Sequence, residues 1–122
     1  LIFEGQNSDI EIEDMLIECD FGSLEGKPIL DVMRENRISR KEQLKKILPD
    51  DGEQWSSLLD RGERILGRVN ELQENNHSVA LVSHDAVIQG LSELLTGSWF
   101  DAAHGEIYKF NPTGGNWVKT NC

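Results

Sequence analysis

Residues 78–95 read SVALVSHDAVIQGLSELL. An apolar run, Val79 to Val82, is followed at once by a polar trio and then by Val87, Leu91, Leu94 and Leu95 at helical spacing. The pattern predicts a buried strand over 78–83 that hands over to a helix over 86–95, with Gly97 as the residue that ends it. His84 stands at the handover. A strand-to-helix junction presents unpaired backbone N–H groups and the positive end of the helix dipole, which suits an anion such as phosphate. By position alone His84 is either a catalytic or ligand-binding group or a half-buried strand-end residue, and Asp85 is an acid favoured by the helix dipole.

Upstream, Trp55, Leu58, Leu59, Ile65, Leu66, Val69 and Leu72 fall on one face at a 3.6-residue period, predicting a long helix ended by Asn75 and Asn76. Asp51 with Gln54 is a cap pattern ahead of it. Ser39 with Glu42 is another, predicting a short helix from Arg40 to Leu48 that Pro49 and Gly52 terminate. Ile29, Leu30, Val32 and Met33 after Pro28 suggest a further short helix. DIEIE at 9–13 alternates and reads as an edge strand or extended segment. Glu106–Phe110 and Asn116–Thr120 flank NPTGG and read as an antiparallel hairpin. Helices on both sides of a buried strand suggest an α/β layer arrangement, although three strands are few for such a sheet.

The 122 residues fit one domain. A formal net charge of −10 argues against broad nucleic-acid binding and against an anionic membrane surface, while leaving room for a local anion pocket. No apolar run reaches the length of a membrane span. Cys19 and Cys122 are too few and too far apart for a disulfide framework, which favours a reducing, cytoplasmic setting. His77, His84 and His104 lack metal-ligand spacing, so no metal and no cofactor is expected. Seven of the twelve basic residues, Lys27, Arg34, Arg37, Arg40, Lys41, Lys45 and Lys46, cluster within 27–46. They are either a solvated face or a clamp for an anionic substrate. Glu18 and Glu25 lie in LIECDFGSLEG, where two glycines beside acids suggest close backbone approach. Either acid could protonate a leaving oxygen, or the loop is simply solvated.

In order along the chain, LIECDFGSLEGK, DDGEQWSSLLDR and VALVSHDAVIQGLSELL resemble three motifs of the histidine phosphatase superfamily, in its phosphoglycerate-mutase-like group. The resemblance implies a three-layer α/β sandwich and phosphoryl transfer through a phosphohistidine, on small phosphorylated metabolites. It implies Glu18 as proton donor to the leaving oxygen. It makes His84 the second pocket histidine, with the backbone at Asp85 and Ala86 adding to the phosphate site. Asp85 stands where the common form has Gly, and the acid-phosphatase branch uses an Asp there as donor. Glu18 is preferred, because its loop matches the mutase-like group. The family's R-H-G nucleophile segment and its S-x-L-x-R-A helix have no counterpart in these residues. The chain, which opens on Leu1, therefore reads as a single partial domain over 1–122, without the first strands and helix. The expectation is little or no activity for the chain alone. The alternative is a noncatalytic remnant that binds or assembles, for instance as a homodimer through a bare sheet edge at 78–83.

Overall fold

A computed structural model describes residues 9–75, 78–110 and 117–120. Three helices and one hairpin are its regular elements: α1 (Ile29–Glu35), α2 (Trp55–Glu74), α3 (Asp85–Thr96), β1 (Ile107–Phe110) and β2 (Trp117–Thr120). Short 3₁₀ turns at Asp14–Leu16, Gly22–Leu24 and Lys41–Lys46 shape the connections.

The apolar stripe of α2 does what its period predicts. Leu58, Gly62 and Ile65 are buried, and α2 packs on α3, whose Ala86, Val87, Gly90 and Leu91 face it. Each helix offers a glycine to the other's leucines. A Cβ added to Gly62 would lie 2.8 Å from Leu94 Cδ1, and one added to Gly90 would lie 3.5 Å from Leu58 Cδ2. Close packing of this kind is felt at the level of single methylene groups. Fully burying a Leu or Ile contributes about 1.5–3 kcal/mol, and Leu58, Ile65 and Leu91 are each 2–3% exposed. α3 ends where expected, at Gly97, whose φ of 73° places it in the left-handed region and lets its N–H reach the Glu93 carbonyl.

The N-terminal loop is held to this helix pair by one arginine. Arg61 forks onto Glu53, with Nη2 2.7 Å from Oε1 and Nε 2.9 Å from Oε2. Its Nη1 donates to the carbonyls of Met15 at 2.6 Å and Ile17 at 2.8 Å. Both charged side chains are only 15% exposed. Met15, Leu16 and Phe21 thereby pack against the core cluster that contains Cys19.

β1 and β2 pair antiparallel, Ile107 opposite Thr120 and Phe110 opposite Trp117. This is the expected hairpin, with its NPTGG connection outside the described residues. Phe100 packs edge-on against Tyr108 at 4.7 Å between ring centroids.

Three expectations are corrected. Residues 78–83 are not a buried strand: no ladder includes them, and Leu81 and Val82 are 41% and 69% exposed. Apolar, β-branched composition favours a strand only where a neighbour accepts its hydrogen bonds, and among the described residues none does. The sole described tie on this stretch is Ser83 Oγ, which donates to the Leu16 carbonyl at 2.8 Å. The predicted helix from Arg40 to Leu48 is the 3₁₀ run Lys41–Lys46, and Gln43 closes its start instead of Glu42, accepting from the N–H groups of Ser39 and Arg40. Asp51 does not cap α2. Its carboxylate accepts from Ser23 N–H at 3.0 Å, while Gln54 occupies the cap position and turns its amide to the Pro49 carbonyl. For DIEIE at 9–13 the extended segment holds in place of the edge strand: no described sheet includes it, Glu13 is in extended conformation and Ile12 is 92% exposed. The described elements are thus mostly helical, with a two-stranded hairpin as their sheet.

Replacing Arg61 with alanine leaves the Glu53 carboxylate and two carbonyls without their donor, and should cost about 3 kcal/mol or more of stability. Urea denaturation measures this. Glu53→Gln combined with Arg61→Met should recover part of the loss, because breaking one side of a buried pair is worse than removing both.

Candidate functional site

The loop 18–25 and the start of α3 converge. Glu18 accepts from Cys19 N–H through Oε1 at 2.8 Å, and its Oε2 lies 3.5 Å from the Ala86 amide. The acid therefore sits on the first turn of the helix that His84 begins. His84 is the N-cap residue of α3, in extended conformation, and its exposed ring makes no hydrogen bond among the described residues.

Backbone crowding fixes the loop. Gly22, at φ 53°, has no room for a side chain, because a Cβ there would collide with Asp51 Oδ1 and stand 2.8 Å from Gly52 N. A Cβ on Gly52 would lie 2.6 Å from the Asp20 carbonyl. The two glycines let the 20–25 loop cross the lead-in to α2 at backbone contact, and Glu53 N–H donates to the Asp20 carbonyl at 2.7 Å. The close approach suspected from glycines beside acids is real at Gly22. Gly26 has open space around it.

Both oxygens of Asp85 are engaged. Lys41 Nζ lies 3.2 Å from Oδ2, and Gln89 Nε2 donates to Oδ1 at 3.1 Å. Gln89 is 1% exposed and also accepts from Phe100 N–H at 3.3 Å, so its buried amide links the helix start to the segment leading into the hairpin. Glu25 is exposed and turned back onto Phe21 N–H at 3.0 Å. Of the two loop acids, only Glu18 reaches α3.

Beside this junction lies a cleft of roughly 180 Å³, lined by Glu18, Phe21, Ile29, Lys41, Leu44, Lys45, Leu48, Trp55, Asp85, Ala86, Gln89 and Trp99. Trp55 and Trp99 meet at 5.8 Å between centroids. Trp55 Nε1 donates to Glu93 Oε2 at 2.9 Å, and Lys45 Nζ lies 3.3 Å from the same oxygen. His84 is not among the lining residues. Of the basic cluster at 27–46, Lys41 and Lys45 reach the cleft, whereas Arg34 pairs with Asp31 at its own helix surface. Sequence reasoning placed Trp55 on a helix face and gave no part to Trp99, Gln89 or Glu93. The available signals were an aromatic pair directly after a glycine helix end and a glutamine one helical turn after Asp85. Among the described residues no group of His, Cys, Asp and Glu could hold a metal ion.

Behind Glu18 lies Cys19, 3% exposed. Burial pushes its thiol up to about 12, with further upward pushes from the Glu53 and Glu18 carboxylates. It is a core group, not a nucleophile.

A family model for the histidine phosphatase superfamily, branch 1, matches residues 1–120. The chain belongs to that superfamily. Membership supports a function of the phosphatase or mutase type. No curated protein and no solved structure matches the chain. No helix among the described residues is long and apolar enough to cross a membrane.

The thiol gives a pH prediction. Its folded value, about 12, stands above the 9.0 of an unburied thiol, so its contribution to stability is complete below about pH 9 and is lost as pH rises toward 12. Denaturation at a series of pH values should show this decline, and Cys19→Ala should flatten it. At pH 8, peptide mapping after iodoacetamide should find Cys19 unlabelled in folded protein and labelled in urea.

Proposed function

We propose that this chain supplies the acid and part of the anion site of a phosphohistidine-forming phosphatase or mutase that acts on phosphomonoesters. The observation that supports the reading is the carboxylate of Glu18 held against the Ala86 amide, directly after His84. A helix N-terminus binds phosphoryl oxygens well, so the acid stands beside the place where the phosphoryl group would sit. His84, with a ring that has no hydrogen-bond partner among the described residues, binds and polarises those oxygens. Asp85 and Ala86 contribute backbone donors.

In this reading the ester P–O bond breaks as a P–N bond forms on the nucleophilic histidine, and Glu18 gives its proton to the departing alcohol. Water then passes a proton to Glu18 and its oxygen to phosphorus, releasing phosphate and restoring both groups. A second hydroxyl in place of water makes the reaction a mutase step. Asp85 is the weaker candidate for donor, because Lys41 and Gln89 already occupy its two oxygens. The nucleophile belongs to an R-H-G segment, which the 122 residues do not contain. That segment would also provide a strand beside 78–83 and complete a three-layer sandwich.

A second reading is favoured by a specific surface. Ile17, Leu81 and Val82 are 67%, 41% and 69% exposed, and the Ser83–Leu16 hydrogen bond holds their two segments together. In a noncatalytic remnant this apolar patch would pair with a partner or with a second copy. Sedimentation separates the two: a dimer that Val82→Lys dissolves supports assembly, and a monomer at all concentrations counts against it.

The catalytic reading predicts that the purified chain hydrolyses p-nitrophenyl phosphate no faster than buffer. Turnover abolished by His84→Ala would overturn the placement of the nucleophile outside these residues. Inorganic phosphate should shift the Ala86 amide resonance. Glu18→Gln, which removes the negative charge competing for that amide, should tighten phosphate binding by about three- to tenfold, whereas His84→Ala should weaken it.

A further inference from the structure

The cleft beside Glu18 combines an apolar wall with charged groups that leave no surplus of positive charge. Phe21, Leu44, Leu48, Trp55 and Trp99 supply an apolar lining. Its two ammonium groups are both taken: Lys41 by Asp85 at 3.2 Å, and Lys45 by Glu93 at 3.3 Å and by Glu42 at 4.0 Å. With Glu18, four carboxylates stand against two lysines. A phosphorylated acid or a bisphosphate carries a second anion that would need a surplus cation here, and among the described residues the cleft has none to give. An uncharged ring loses nothing on entry and gains contact with two indoles. An apolar cavity of roughly 150 Å³ holds benzene, so the cleft of roughly 180 Å³ has room for a single ring.

We propose that the cleft is the leaving-group subsite and that it selects phosphomonoesters of uncharged alcohols bearing an aromatic ring over small phosphorylated acids. The proposal rests on the reading that phosphate binds at the start of α3, and it narrows the substrate from phosphorylated metabolites in general to one class. Trp99 acts as its specificity wall. Glu93 acts as the residue that keeps Lys45 from serving as an anion receptor, while also fixing the Trp55 ring through its indole N–H.

The test is calorimetric titration of the 122-residue chain with inorganic phosphate, phenyl phosphate and phosphoglycolate. Phenyl phosphate should bind about tenfold more tightly than either of the others, the yield expected of one buried ring. Trp99→Ala should remove most of that advantage and leave inorganic phosphate within about twofold, as truncation of an aromatic anchor does. Glu93→Gln keeps an acceptor for the Trp55 indole but frees Lys45 of its nearer carboxylate, leaving only Glu42 at 4.0 Å, and should raise phosphoglycolate affinity several-fold. This gain cannot arise from misfolding. If phenyl phosphate and phosphate bind equally and His84→Ala weakens both, the subsite is overturned and the phosphate site stands. If phosphoglycolate binds best in the wild-type chain, the selectivity is overturned. If none of the three binds, both the subsite and the phosphate site fall.

Discussion

The guanidinium of Arg61 is the tie on which the described architecture depends. It rises from the second turn of α2, grips both oxygens of Glu53 and caps the carbonyls of Met15 and Ile17. Glu53 raises the affinity of that guanidinium for its proton further through the hydrogen bonds of the fork. A segment with little regular structure, residues 9–20, thus has two of its backbone acceptors satisfied by a helix side chain in place of a sheet. Without it, the part-buried Met15 carbonyl and the part-buried Glu53 carboxylate would lose their strongest donor, the costly case for polar groups away from water.

Everything at the site is downstream of this tie. With Ile17 held, Glu18 is presented to the first turn of α3 and Cys19 is turned into the core. The crossing of Gly22 and Gly52 then fixes the height of the loop over α2. Charges at this point are arranged in matched pairs: Arg61 with Glu53, Lys41 with Asp85, Lys45 with Glu93. A chain of net charge −10 therefore gathers its cations locally without creating a positive pocket. Partly exposed pairs such as Lys41–Asp85 contribute little stability. A lysine neutralised in this way attracts an anion only weakly.

Legibility followed the range of the interaction that fixes each feature. α2 and α3 were readable because burial of one face repeats every 3.6 residues, and the Gly97 stop because left-handed backbone favours glycine. The hairpin was readable because a Pro–Gly-rich connection separates two short extended runs. The fork between Arg61 and Glu53 was not, because eight residues lie outside the three- and four-residue spacings at which helix neighbours meet. Lys41 and Lys45 were visible as members of a basic cluster, but nothing local distinguishes them from Arg34, which stays on its own helix. Gln89 and Glu93 read as ordinary polar helix positions until their partners from 41–55 and 99–100 are in place.

The sequence by itself determined the two long helices α2 and α3, their C-terminal ends, the hairpin and the family, because periodicity, glycine stops and ordered motifs are local properties of the chain. It also singled out Glu18 and His84 as one candidate set. Only the tertiary structure decided that Glu18 meets α3 while Glu25 does not, that Asp85 is already occupied, and that the basic cluster is neutralised where it lines the cleft. It also decided that 78–83 lies outside any ladder, against its composition. Each of these is a matter of which distant groups come within hydrogen-bonding reach. A carboxylate, a lysine or an apolar run carries the same local signature whether its partner is present or not.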